Sequence, residues 1–103
     1  MKSLSEINMD FKQAIQKAEE LEEIAGEMKN LANNEFGTSL QNLSISWKSN
    51  TASSFSSKGA KLKEKINGSA DELNNIARTI RTAAQLLYNA EMAAHYLAEK
   101  RIF

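Results

Sequence analysis

The sequence predicts an all-α fold: an antiparallel helix-turn-helix hairpin that forms a four-helix bundle with a partner. Three observations carry this. The 103 residues contain no proline and no valine, a composition that favours long helices. Apolar residues recur every 3.5 positions in both halves, the period of a helix packed along one seam. The midpoint is a cluster of small polar residues around the only tryptophan. A single hairpin domain over 1–103 follows, with a helix over about 4–45, a turn over about 46–50 and a helix over about 51–99.

The first helix opens at Ser3, three residues before Glu6, the spacing of a capping box. Its stripe runs Ile7, Phe11, Ala14, Ala18, Leu21, Ala25, Met28, Ala32 and continues through Phe36, Leu40, Leu43 and Trp47. Beyond Ala32 the spacing lengthens to 4, 4, 3, 4, so the local period changes there. Asn33, Asn34 and Gly37 are weak helix formers, and a bend or fraying is expected near 33–38.

The turn holds Trp47, Lys48 and Ser49, and Ser49 or Asn50 is a suitable N-cap for the second helix. The second stripe reads Phe55, Gly59, Leu62, Ile66, Ser69, Leu73, Ile76, Ile80, Ala83, Leu87, Ala90, Ala94, Leu97. A short connection makes the helices antiparallel, with residue i facing roughly residue 96 − i. Ile15, Ile24, Leu31, Ala77 and Ala84 fall beside the stripes and broaden the apolar surface. With Phe55 and Leu62 they form the expected partner interface.

Charge divides between the halves. Residues 1–46 hold four Lys and eight Asp or Glu, and residues 47–103 hold nine Lys or Arg and five Asp or Glu. The acidic run Glu19 to Glu27 and the basic run Lys58 to Lys65 do not align at this register. They are either solvated faces or charges that meet another chain.

Several function classes are disfavoured. Formal net charge is zero, which argues against a nucleic-acid binder. The chain has no cysteine and one histidine, His95, so neither thiolate nor paired-histidine metal sites form. His95 lies four residues from both Glu91 and Glu99, the spacing of helical surface pairs, and no serine near the turn has a histidine base. No cofactor is expected, nor an enzyme. No window is long and apolar enough for a membrane span, so no stable membrane insertion is expected. The basic face around Lys58, Lys61 and Lys65, with Phe55 and Leu62, has only modest amphipathic character.

A hairpin of about 100 residues with a tryptophan in its turn resembles the WXG family of bacterial type VII (ESX) secretion substrates. Their motif is Trp-x-Gly; here it reads Trp47-Lys48-Ser49, with Ser in place of Gly. The resemblance implies synthesis in the cytoplasm and export by the type VII machinery without a cleavable signal peptide. Family members carry Tyr-x-x-x-Asp/Glu near the C-terminus as an export signal. This chain offers Tyr88 with Glu91 and Tyr96 with Glu99, each three residues apart rather than four. That departure points to dependence on a partner that carries the signal. In Gram-positive systems, small WXG-like proteins pair with the helical N-terminal domains of LXG toxins. The resemblance therefore implies a targeting partner or chaperone for an LXG toxin. The alternatives are a self-sufficient secreted homodimer and an intracellular coiled-coil adaptor unrelated to secretion.

Overall fold

The computed structural model describes residues 2–46 and 50–100, except for the side chains of 44–46 and 50–52. All described secondary structure is helical. Helix α1 spans Leu4–Asn30, a π-helical segment spans Leu31–Phe36, α2 spans Gly37–Ser46 and α3 spans Asn50–Lys100. Trp47 and Ser49, expected to form the turn, lie outside the described residues.

Helix α1 starts where Ser3 can satisfy free amides. The Glu6 N–H donates to Ser3 Oγ at 3.1 Å, and the Ile7 N–H donates to the Ser3 carbonyl at 3.0 Å. The Glu6 carboxylate accepts from the Ser3 hydroxyl at 3.2 Å. A full capping box would instead take the Ser3 backbone amide.

The expected irregularity near 33–38 is a π-helical turn. The Gly37 N–H reaches the Ala32 carbonyl, five residues back. A π turn holds more residues than an α turn, so it absorbs the lengthened spacing of the stripe. Ala32 is buried before it, and Phe36, Leu40 and Leu43 remain half-buried after it. The seam keeps facing inward without a break in the helix.

The chain forms two compact units. The first comprises Met1–Leu21 with Asn75–Phe103, the second Glu22–Asn74. Each is an antiparallel helical pair. In the first unit the Phe11 and Tyr88 rings pack at a tilt of 42° with centroids 4.9 Å apart. Lys2 Nζ donates to Asp10 at 2.7 Å and to Glu91 at 3.1 Å. The bond to Asp10, then that to Glu91, raises the Lys2 pKa above its usual 10.5.

In the second unit Lys29 pairs with Asp71 at 2.7 Å, Asn33 with Asn67 at 3.0 Å, and Leu40 lies against Gly59. Residue i therefore faces about residue 100 − i. This corrects the register expected from the turn position by one helical turn. Contacts between the paired helices mark the register here, not the midpoint of the polar cluster.

The first stripe packs as its spacing predicts: Ile7, Ala18, Ala25 and Ala32 are fully buried, and Phe11, Ala14, Leu21 and Met28 half-buried. The α3 stripe is out of phase with the expected one. Its inward residues are Ser56, Gly59, Lys63, Ile66, Ala70, Leu73, Ala77, Ile80, Ala84 and Tyr88, with Ala70 and Ala77 at 0 % exposure. Gly59, Ile66, Leu73 and Ile80 belong to both sets. Elsewhere the seam is shifted by one residue, and Phe55, Leu62, Ile76 and Leu87 are left about half exposed.

Size explains the shift. Alanines on both sides let two helix backbones approach closely, and a Leu or Ile at the same place would hold them apart. The large side chains are displaced to the rim. Ala77 and Ala84, expected at a partner interface, instead belong to the chain's own seam. Ala77 offers no surface to a second chain.

Gly59 shows how tight the approach is. A Cβ there would lie 2.4 Å from Leu40 Cδ2 and 3.0 Å from its Cδ1. At Gly68 a Cβ meets nothing within 4 Å. Both glycines are helical with ordinary backbone, so Gly68→Ala should stabilise by about 1 kcal/mol through helix propensity. Gly59→Ala should lose about 1–3 kcal/mol to overpacking, partly offset by the same gain. Urea denaturation of the two variants reads this difference; equal stabilisation by both would mean that Leu40 does not pack on Gly59.

Candidate partner-docking edge

An antiparallel helical pair has two edges, one on each side of its seam. Helical rotation places the residue just before each seam position on one edge and the residue just after it on the other, for both helices alike. In the second unit the two edges differ in chemistry.

The edge after the seam is polar and bonded. Asn33 follows Ala32 and Asn67 follows Ile66, and their amides exchange bonds of 3.0 and 3.4 Å. Lys29, which follows Met28, reaches Asp71, which follows Ala70. The edge before the seam is apolar and open. Ile24 precedes Ala25, Leu31 precedes Ala32, Phe55 precedes Ser56 and Leu62 precedes Lys63. Their exposures are 46, 49, 55 and 49 %.

Half-exposed Leu, Ile and Phe side chains of this size leave roughly 1 kcal/mol each of burial energy unrealised, about 4 kcal/mol across the edge. The two sides of the edge carry opposite charge. Lys58 is three residues after Phe55 and four before Leu62, and Lys65 is three after Leu62. Glu27 is three after Ile24 and four before Leu31. None of these three charges makes an ion pair among the described residues.

Of the expected interface residues, Ile24, Leu31, Phe55 and Leu62 thus share this edge. Ile15 is half-buried in the first unit, on the edge that follows the seam. Among the described residues of the second unit, Glu23 and Glu27 make no ion pair with the basic run, and Lys29 takes Asp71.

The two Tyr-Glu pairs, both in the first unit, have different environments. Tyr88 is half-buried against Phe11, and Glu91 has a side chain 20 % exposed and accepts from Lys2. Tyr96 is 57 % exposed, and Glu99 accepts from His95 Nε2 at 3.2 Å on the surface. The first pair is engaged in packing and the second is accessible. Tyr88→Ala should therefore cost about 2–4 kcal/mol through the lost packing on Phe11, whereas Tyr96→Ala should change stability by less than about 0.5 kcal/mol. Thermal melts of both variants test this; equal losses would mean that Tyr96 is also packed.

In the first unit Ile7, Phe11, Leu87 and Tyr88, with Asp10 and Glu91, line a cleft of about 50 Å³. That is room for a water or two, far below the ~300 Å³ of small ligand sites. Among the described residues no group of three or more acidic or histidine side chains could hold a metal. No described helix is long and apolar enough to cross a membrane.

The amide pair and the Gly59 contact were not read from the sequence. Asn33 registered there as a weak helix former. Its relation to Asn67 becomes visible only once both positions are placed immediately after seam residues.

The WXG100 family model, described as proteins of 100 residues with WXG, matches residues 6–92. No curated protein and no solved structure matches the chain. Proteins of this family are small, helical and secreted by type VII systems, and are not known enzymes. They form helical dimers or partner complexes. The match spans most of the chain, and the helical pairs agree with it: this chain belongs to the WXG100 family of small proteins associated with type VII secretion.

Proposed function

We propose that this chain is a targeting partner, or chaperone, for export of an LXG toxin by a type VII system. The observation that carries the reading is the open apolar edge of Ile24, Leu31, Phe55 and Leu62 in a WXG100 chain. The toxin's helical N-terminal domain covers that edge and completes a four-helix bundle. Burying the edge recovers the energy that the alanine seam leaves unrealised.

The C-terminal residues support dependence on a partner. Neither Tyr-Glu pair has the four-residue spacing of the family signal, and Tyr88 and Glu91 are engaged within the first unit. The toxin complex supplies the export signal, with Tyr96 and Glu99 as the accessible contribution of this chain.

Co-expression with the N-terminal domain of an LXG toxin from the same genome tests the proposal. Stoichiometric co-elution in gel filtration is expected. A stable homodimer that ignores the toxin domain would instead support a self-sufficient secreted dimer.

A further inference from the structure

We propose that Asn33 and Asn67 are positioning residues that set the register of the helical pair in the second unit. The evenly spaced alanines of the seam alone do not set it. Ala25 and Ala32 are seven residues apart, as are Ala70 and Ala77, and Ile66, Leu73 and Ile80 repeat at the same interval. Sliding one helix past the other by seven residues puts small side chains opposite small ones again. Such a slip moves a helix by about 10 Å along its axis.

The bonded edge breaks this degeneracy. In the observed register the Asn67 amide donates to Asn33 Oδ1 at 3.0 Å and the Asn33 amide donates to Asn67 Oδ1 at 3.4 Å. One helical turn away Lys29 meets Asp71 at 2.7 Å. A slip in one direction places Asn33 opposite Asn74, which keeps an amide partner, but sets Lys29 opposite Arg78. A slip in the other direction gives Lys29 a carboxylate, Glu64, but sets Asn33 opposite Ala60. Only the observed register satisfies both positions. A polar pair beside an otherwise interchangeable apolar seam favours one alignment over others, even where it adds little stability.

The consequence for partner docking rests on the proposed function above: register decides how far Ile24 and Leu31 lie from Phe55 and Leu62 along their shared edge. The register itself does not depend on that reading, and its test involves no partner.

The chain has no cysteine, so Glu27→Cys and Glu72→Cys, at exposed positions of the second unit, take nitroxide labels uniquely. Pulsed electron spin resonance should give a single distance in the labelled protein. Adding Asn33→Ala and Asn67→Ala should create a second population, roughly one molecule in ten or more, displaced by the seven-residue slip. Restoring a matched pair as Asn33→Asp with Asn67→Lys should return the single distance. Circular dichroism follows helicity throughout. If the double alanine variant loses helix, Asn67→Ala alone, which removes both bonds, is measured in its place. A variant that keeps one unchanged distance and only melts earlier would overturn the proposal, because it shows a stabilising contact and not a register determinant.

Discussion

Replacing Ala77 by leucine should destabilise the chain by about 1–3 kcal/mol, whereas replacing its neighbour Ile76 by alanine should cost about 1 kcal/mol or less. The asymmetry runs against ordinary expectation, in which losing a large apolar side chain hurts more than gaining one. It follows from burial. Ala77 has no exposed surface and sits where two helices meet through small side chains, while Ile76 is half exposed. A leucine at 77 has to push the helices apart or leave its preferred rotamer. For a domain of this length the expected loss for Ala77→Leu lowers Tm by about 5–20 °C. Thermal unfolding followed by circular dichroism decides it. If Ile76→Ala is the more damaging variant, the α3 seam has the phase expected from the spacing of the large residues.

The second large effect concerns association. Leu31→Asp combined with Leu62→Asp should weaken the complex with a toxin N-terminal domain by at least about 2–4 kcal/mol, or roughly 30- to 1000-fold in Kd. Each carboxylate would be buried in an apolar contact, a cost that Lys58 and Lys65 beside position 62 offset only in part. The isolated chain should barely change, because both positions are about half exposed and substitutions at such sites are usually worth about 0.5 kcal/mol or less. Calorimetric titration of wild type and variant, with circular dichroism as the folding control, separates the two effects. Unchanged affinity would place the partner elsewhere.

The sequence made the fold class and the inward face of the first helix legible because both follow from the period of apolar residues. Ile7, Ala18, Ala25 and Ala32 lie inward where the 3.5 spacing puts them. The phase of α3 was not legible, because two apolar lines run side by side along it. One carries Phe55, Leu62 and Ile76; the other carries Ala70, Ala77 and Ala84. Hydrophobicity favours the first line, and closeness of packing selects the second. The same competition explains the interface. Ile24 and Leu31 fell beside the stripe and stay exposed, and Phe55 and Leu62 join them only once α3 is turned by one residue. The register was missed for a related reason: the midpoint of a polar cluster locates a turn only loosely. Leu40 against Gly59, Asn33 against Asn67 and Lys29 against Asp71 define it through contacts 19 to 42 residues apart in sequence, which no local pattern displays.

Family membership constrains the function more than any single side chain does. Hydroxyl-radical footprinting of the chain, alone and bound to an LXG toxin N-terminal domain, tests the docking edge most directly. The account predicts that Ile24, Leu31, Phe55 and Leu62 are oxidised in the free chain and protected in the complex. A complex that leaves these four as reactive as before, or that protects the edge of Lys29 and Asp71 in their place, would contradict it.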